Sequence, residues 1–187
     1  MDLVKIDEYW LEWKNWYYAN AEKFGITKDE LTKLGIVNDY AYLNRHTCEL
    51  LAQLDKELRN EYELKLIIKD AYRSIWLYKL IREKRIKKEW EQFVKSIFNT
   101  LWDFPHASWN TVDVSFVWVN DNRSLLVFEE IDDLMERKNS WRVNYYELSN
   151  DVQHKLIHKN RIFIKDMMNK YGFEWIDHEY WHFNLKK

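Results

Sequence analysis

The fold class is decided by residues 112–128, which read VDVSFVWVNDNRSLLVF. From Val112 to Trp118, bulky apolar residues recur at every second position, which is the period of a β-strand. Residues 120–122 are Asn-Asp-Asn, a combination typical of turns, and Leu125–Phe128 is a second apolar run with β-forming residues. This stretch therefore predicts a β-hairpin.

Helices and further strands flank the hairpin. Apolar residues at helical spacing predict four helices, at Ile6–Phe24, Tyr42–Leu58, Trp76–Trp102 and Leu148–Tyr171. Gly25 and Gly172 follow the first and the last of these, as glycines that end helices do. Apolar runs rich in β-forming residues predict a strand at Leu64–Ile68 and a strand or strand pair at Phe173–Leu185. We therefore predict an α+β fold, with a small antiparallel sheet packed by several helices.

The size and composition of the chain indicate one domain. Its 187 residues are 47% hydrophobic and 32% charged, and no repeat or linker-like segment divides them. We treat residues 1–187 as a single domain in which residues 1–39 form a helical N-terminal extension.

Charge and hydropathy exclude several classes of partner. The 29 basic and 31 acidic residues leave a formal charge of -2, which argues against binding to nucleic acid or to an anionic membrane. No apolar run approaches the ~18 residues of a membrane span, and charged residues interrupt the first turns, where a secretory leader would be apolar. These features predict a cytoplasmic protein and leave its oligomeric state open.

Cysteine and glycine are too scarce for two common kinds of site. The single cysteine, Cys48, permits neither an intramolecular disulfide nor a cysteine-rich zinc site. Three glycines and one proline also exclude a glycine-rich phosphate loop. A bound metal would therefore need histidine and carboxylate ligands.

The string His178-Glu179-Tyr180-Trp181-His182 matches H-E-x-x-H, a metalloprotease signature. That motif works on a helix, where both histidines lie on one face. Here only five residues, Phe183–Lys187, follow it, and the surrounding aromatic residues favour a strand. We therefore expect Glu179 and His182 to be the functional pair, with further ligands supplied from upstream.

His106 and Asp113 lie seven residues apart, next to the predicted hairpin. Asp113 stands between Val112 and Val114, and a buried carboxylate needs a cation or a metal to compensate its charge. His106, Asp113 and His182 would form a three-ligand zinc set with a fourth position open, and Glu179 could then serve as a base. The alternative is that His106 caps a helix and Asp113 pairs with a lysine or arginine.

Arg73 follows the predicted strand Leu64–Ile68, in the string Asp70-Ala71-Tyr72-Arg73-Ser74. Active sites are often assembled at strand ends, and an arginine there could stabilise a developing oxyanion. Alternatively, Arg73 pairs with Asp70 or another acid at the surface.

Three separated motifs in this order resemble the VanX-type D-alanyl-D-alanine dipeptidases, a family of zinc metallopeptidases. The motifs are Asp70-Ala71-Tyr72-Arg73, His106 with Asp113, and Glu179-Tyr180-Trp181-His182-Phe183, and the resemblance extends from about Tyr40 to the C-terminus. It implies one Zn²⁺ per chain held by His106, Asp113 and His182, a catalytic base at Glu179, and stabilisation of the tetrahedral intermediate by Arg73. It also implies that Asp132 receives the amino group of a small peptide substrate.

The resemblance implies hydrolysis of D-alanyl-D-alanine or a similar small dipeptide. Two alternatives remain: a D,D-carboxypeptidase acting on peptidoglycan stem peptides, and a non-catalytic binding protein that retains the fold. The family pattern S-x-H-x-x-G-x-A-x-D is not fully kept, because Phe104, Trp109 and Thr111 replace its Ser, Gly and Ala. Trp109 is expected to restrict the backbone to conformations that a Cβ allows, and to place a large ring near the cleft.

Overall fold

The computed structural model of the chain describes residues 2–34, 41–89, 91–97 and 104–186. It shows a mixed arrangement of helices and a small, mainly antiparallel sheet, which confirms the α+β prediction. The strands are β1 Leu3–Lys5, β2 Glu12–Trp13, β3 Tyr42–Asn44, β4 Leu64–Asp70, β5 Thr111–Trp118, β6 Phe173–Ile176 and β7 Glu179–Leu185. The α-helices are α1 Trp16–Ala19, α2 Lys28–Lys33, α3 Arg45–Tyr62, α4 Ile75–Lys88, α5 Glu91–Ile97, α6 Leu134–Ser140 and α7 Val152–Lys170. Short 3₁₀ helices cover Ile6–Tyr9, Ala21–Phe24 and Pro105–Ser108.

The main sheet has five strands in the order β2-β4-β5-β7-β6. Only the edge pair β2 and β4 is parallel, and the other neighbours are antiparallel. The short strands β1 and β3 pair separately. Because β5 lies between β4 and β7, residues near the start of β5 are brought next to the end of β4 and to the strand closest to the C-terminus.

The alternation along β5 divides its residues between two faces. Val112, Val114 and Phe116 are at most 1% exposed and belong to the main core, together with leucines of α3 and apolar residues of α7. Since successive residues of a strand point to opposite sides, Asp113 lies on the other face. The core thus holds β5 in place, and Asp113 shares the second face of the strand with Ser115 and Val117.

A β-bulge interrupts the pairing of β4 with β5. Ile68 pairs with Val114 and Asp70 pairs with Asp113, so that Lys69 has no partner of its own in β5. A bulge of this kind re-aims the side chains that follow it. It precedes the segment 71–73, which contacts the candidate site described below.

The predicted hairpin is only half formed as a β-structure. The chain turns after Trp118 and returns, with one bridge between Val117 and Ser124 and a hydrogen bond from the Leu125 N–H to the Phe116 carbonyl. Leu125–Phe128 is not a strand, because two of its carbonyl groups accept hydrogen bonds from side chains of α7 and not from a neighbouring strand. Arg161 and Asn160 donate to the carbonyl groups of Val127 and Leu126, respectively.

The prediction of one helix over Ile6–Phe24 is wrong. Trp10 adopts a left-handed backbone conformation, with φ 60°, that ends the first short 3₁₀ helix, and Glu12–Trp13 then pairs with β4. Gly25, with φ 69°, does end a 3₁₀ helix. Residues 1–39 were expected to form a helical extension. Instead, residues 2–34 contain short helices and two strands that pair with later parts of the chain. Residues 35–39 lie outside the described residues.

The other helices and strands agree more closely with the sequence prediction. The helix predicted from Tyr42 begins at Arg45, because Tyr42–Asn44 pairs with β1 and Asn44 caps α3. The helix predicted over residues 76–102 is found as α4 and α5, while residues 98–102 lie outside the described part. Helix α7 ends before Gly172, which has φ 87°, and β6 and β7 form the expected strand pair.

Within the described ranges, no helix combines the length and the apolarity that crossing a membrane requires.

Candidate metal centre

His106, Asp113 and His182 come together although they lie far apart in the sequence. Asp113 and His182 are paired residues of the neighbouring strands β5 and β7. His106 lies in the 3₁₀ turn Pro105–Ser108, directly before β5. The sheet therefore fixes two of the side chains, and the turn that leads into the sheet supplies the third.

The three side chains could hold a metal ion. One ligand atom from each lies within 4.8 Å of those of the other two. Asp113 Oδ1 is 3.0 Å from His182 Nδ1 and 3.3 Å from His106 Nε2. The side chains of His106, Asp113 and His182 are only 2%, 14% and 4% exposed, so water does little to compensate the charge of the carboxylate.

The hydrogen bond of His106 determines which of its nitrogens is free to bind a metal. Nδ1 lies 2.8 Å from the Ala71 carbonyl oxygen, which can only accept a hydrogen bond. Nδ1 is therefore the nitrogen that donates, and Nε2, which lies 3.3 Å from Asp113 Oδ1, is the nitrogen that a neutral ring would leave free for a metal. A carboxylate oxygen and a free ring nitrogen at this distance in a buried site can share a cation, so the donor set fits a divalent metal.

The charges in the cluster support an ionised Asp113. Burial alone would raise the pKa of this carboxyl, but the positive charge that the rings of His106 and His182 carry when protonated, and the hydrogen bonds they then donate, hold it well below its usual range. Burial would lower the pKa of His182, yet its hydrogen bond to Asp113 and the charges of Asp113 and Glu179 raise it. Among the described residues, no group forms a hydrogen bond with His182 Nε2, which is buried.

Glu179 lies beside the cluster, at the start of β7. Its Oε2 is 3.6 Å from His182 Nδ1, and its side chain is 22% exposed. Burial, followed by the negative charge of Asp113, raises the pKa of Glu179 to about 7. A carboxylate with this affinity for protons can accept one and return it near neutral pH.

Arg73 is buried against the same region. Its Nη2 and Nε bond to Asp70 Oδ2, the latter over 3.1 Å, and both side chains are 5% exposed. Its guanidinium also lies over the rings of Tyr17 and Tyr78, at 4.3 and 4.2 Å. The alternative prediction from the sequence is that Arg73 pairs with Asp70 or another acid at the surface. The pair with Asp70 is present, but it is buried.

Arg73 keeps one nitrogen for another partner. In the described part of the chain, Nη1 has no hydrogen-bond acceptor. The positive charge is close enough to lower the proton affinities of Glu179 and His182. Arg73 can therefore serve a structural and an electrostatic role at the same time.

Two sequence candidates lie outside the cluster. Asp132 is exposed just before α6 and, among the described residues, does not belong to the group of potential ligands. The neighbouring Asp133 is used as a helix cap, since its side chain accepts the N–H of Glu136 at 2.8 Å. His178 is exposed and does not belong to the cluster, and β7 is a strand, as expected for this H-E-x-x-H string.

Several contacts that build the site were missed in the sequence. The Ala71 carbonyl orients His106, the Tyr78 hydroxyl accepts the His106 N–H at 3.2 Å, and Trp109 has φ 68°. This left-handed backbone contradicts the expectation that Trp109 would keep to conformations common for residues with a Cβ. Only Tyr78, the third residue of the helix predicted to begin at Trp76, offered any signal for these contacts.

No known protein-family model matches this chain, and no curated protein is significantly similar to it. The fold and the cluster define it as an α+β protein with a candidate metal centre made of two histidines and one aspartate.

Proposed function

We propose that this protein is a zinc-dependent peptidase that hydrolyses D-alanyl-D-alanine or a similar small dipeptide. One observation carries the proposal: two imidazoles and a carboxylate converge within 4.8 Å, and a second carboxylate, Glu179, lies 3.6 Å from one of the imidazoles. A structural ion site would need no adjacent base. The order of the three motifs in the sequence, which resembles that of VanX-type dipeptidases, supports the same class of enzyme.

The donor set suits Zn²⁺, which would be held by a ring nitrogen of His106, a carboxylate oxygen of Asp113 and a ring nitrogen of His182. Two neutral nitrogens and one carboxylate oxygen are common in catalytic zinc sites, which keep a further position open. When bound, such an ion polarises a carbonyl group and makes water more acidic. The buried setting increases the strength of both effects, because little solvent screens the charges.

Glu179 is the proton carrier in the proposed reaction. Its carboxylate accepts a proton from the attacking water and later passes that proton to the nitrogen of the leaving amine. Its raised pKa, near 7, makes both transfers feasible near neutral pH. The net result is cleavage of one peptide C–N bond and addition of water across it.

Arg73 stabilises the negative charge that develops on the carbonyl oxygen. Its guanidinium is buried, and Asp70 holds it through Nε and Nη2, so Nη1 is the nitrogen available to donate. A donor that is fixed before the reaction needs no reorganisation during it.

The preference for a D-amino acid dipeptide rests on the resemblance alone, as does the role of Asp132 in binding the substrate's amino group. Asp132 is exposed ahead of α6, where a charged group of a substrate could reach it. A D,D-carboxypeptidase would use the same metal and base on longer stem peptides. A binding protein would keep the metal and show no turnover.

The test is metal analysis of the purified protein followed by assays on a matched set of peptides. D-Ala-D-Ala, L-Ala-L-Ala and a stem pentapeptide ending in D-Ala-D-Ala are each incubated with zinc-loaded protein, and the released amines are measured. We expect cleavage of the D,D-dipeptide alone. Cleavage of the pentapeptide would identify a carboxypeptidase, and a zinc-loaded protein without any turnover would reject the peptidase proposal.

A further inference from the structure

Trp109 has an unusual backbone conformation next to the candidate metal centre. It follows the 3₁₀ turn that carries His106, and its φ of 68° places it in the left-handed region. Bulky residues rarely adopt this conformation, since their Cβ approaches the backbone too closely. Such strain persists only where surrounding contacts hold it, and it concentrates at functional sites.

The ring of Trp109 supplies such a contact. It stacks on the ring of Tyr72 with centroids 3.2 Å apart and an angle of 3° between the planes. Both residues are partly buried. Among the described residues, this is the one ring pair that is parallel and stacked, while the others are tilted or edge-on.

The stack joins two segments that are already bonded through His106. Tyr72 lies between Ala71, whose carbonyl takes the His106 Nδ1–H, and Arg73, whose N–H donates to the His106 carbonyl at 3.1 Å. Trp109 lies three residues after His106. The stacked rings are therefore a third link between residues 71–73 and the turn at 106–109, in addition to these two hydrogen bonds.

Strand β3 anchors both ends of this link. The Tyr42 carbonyl accepts the N–H of Tyr72 at 3.2 Å, and the Asn44 N–H donates to the Trp109 carbonyl at 3.1 Å. The backbones of the two aromatic residues are thus held by one strand while their rings hold each other. Movement of the turn that carries His106 relative to residues 71–73 would therefore break the stack.

We propose that Trp109 is a positioning residue for His106, and that it acts through its stack on Tyr72. The stack keeps the turn in its strained conformation, so that Nε2 of His106 remains aimed at Asp113 Oδ1, 3.3 Å away. This inference rests on the metal site of the proposed function and adds to it a residue that is not one of the three candidate ligands. Residues that orient ligands in this way commonly change metal affinity about 10–100-fold when they are altered.

The experiment measures the zinc dissociation constant of each variant by competition with a chelator, together with the melting temperature of the metal-free protein. Trp109→Gly removes the ring and relieves the backbone strain, because glycine readily adopts a positive φ. Tyr72→Ala removes the other half of the stack and leaves the backbone of Trp109 unaltered. We expect each variant to bind zinc about 10-fold more weakly.

Two further variants separate stacking from other effects. Trp109→Phe keeps an aromatic ring and should bind zinc within about 2-fold of the native protein, since a smaller ring can still stack. If Trp109 and Tyr72 act as one unit, the double variant Tyr72→Ala/Trp109→Gly should be no weaker than the worse single variant. Trp10→Gly is the matched control, because Trp10 also has a positive φ, of 60°, but is 91% exposed.

The possible outcomes are distinct. Unchanged zinc affinity in both Trp109→Gly and Tyr72→Ala, even with altered melting temperatures, would mean that the stack is merely structural and would overturn the inference. Losses that multiply in the double variant would also overturn it. If the native protein binds no zinc, this inference and the proposed function both fail, whereas normal native binding with unaffected variants rejects the inference alone.

Discussion

Asp113 and His182 face each other as paired residues of β5 and β7, with Oδ1 and Nδ1 3.0 Å apart. This relationship is set by the register of the two strands. A shift of one residue would move every side chain of a strand to the opposite face, and Val112 and Phe183, the next pair along, are buried in the core. The apolar core therefore fixes the geometry of two candidate ligands before any metal binds. Metal binding then loses little conformational entropy in ordering them.

The first prediction concerns the metal. The purified protein should contain about one divalent ion per chain, as expected for a site with two imidazoles and a carboxylate. His106→Ala and His182→Ala should each lose it, because only two ligands remain. Elemental analysis of dialysed protein gives the result, with His178→Ala as the control for an exposed histidine. Loss of metal from both His178→Ala and His182→Ala, with retention in His106→Ala, would show that the H-E-x-x-H string is the true site.

The second prediction separates Glu179 from the ligands. Glu179→Gln keeps the size of the side chain but removes the proton acceptor, so turnover should fall on the order of 10²-fold or more while metal content stays the same. Steady-state kinetics on the dipeptide and elemental analysis are done on the same sample. Glu174→Gln, an exposed glutamate of β6, is the matched control. Full activity of metal-loaded Glu179→Gln would remove this residue from the mechanism.

The sequence predicted much of the site because residue type and pattern carried the information. A carboxylate between Val112 and Val114 was identified as needing a cation, and Asp113 does lie among two imidazoles. The strand pair that holds His182 was also expected, from its aromatic residues and from Gly172. These features are local, so a short window of sequence is enough to reveal them.

Other features depend on contacts between residues that are far apart in the sequence, so a short window of sequence could not predict them. The Ala71 carbonyl binds a ring 35 residues away, and every residue has a carbonyl, so no residue type marks it. The N-terminal aromatic residues have helical spacing, yet Glu12–Trp13 is a strand because the edge of β4 is available to pair with it. Similarly, Leu125–Phe128 looks like a strand, but Arg161 and Asn160 take its carbonyl groups.

The third prediction tests the buried ion pair of Asp70 and Arg73. Asp70→Asn removes the negative partner and leaves a guanidinium that is 5% exposed without its counter-charge. We expect the free energy of unfolding to fall by roughly 3–5 kcal/mol, the usual cost of breaking a buried pair from one side. Denaturant unfolding measures this. Glu83→Gln, which breaks the exposed pair with Lys87, is the control and should change stability little.

The fourth prediction concerns Arg161, which is completely buried. Its Nε donates to the Val127 carbonyl, and its Nη1 donates to those of Ser140 and Arg142, each at 2.7 Å. A lysine cannot reach all three, so Arg161→Lys should leave buried acceptors unpaired and lower the free energy of unfolding by roughly 2–4 kcal/mol. Arg142→Lys, whose side chain is 51% exposed, is the matched control. Equal stability of the two variants would contradict the role of Arg161 as a link between these loops.

The last prediction concerns Arg73 and the transition state. An oxyanion exists only after water attacks, so losing the Nη1 donor should lower kcat and kcat/KM by similar factors, on the order of 10²-fold, and leave KM nearly unchanged. Arg73→Lys is the variant of choice, because it keeps the positive charge beside Asp70 but lacks the planar fork that can bond Asp70 and a second acceptor together. Kinetics are compared with the melting temperature and metal content of the same sample. A raised KM with an intact kcat would instead make Arg73 a clamp for the substrate's carboxylate. A lowered melting temperature with normal kinetics would reduce it to the structural partner of Asp70.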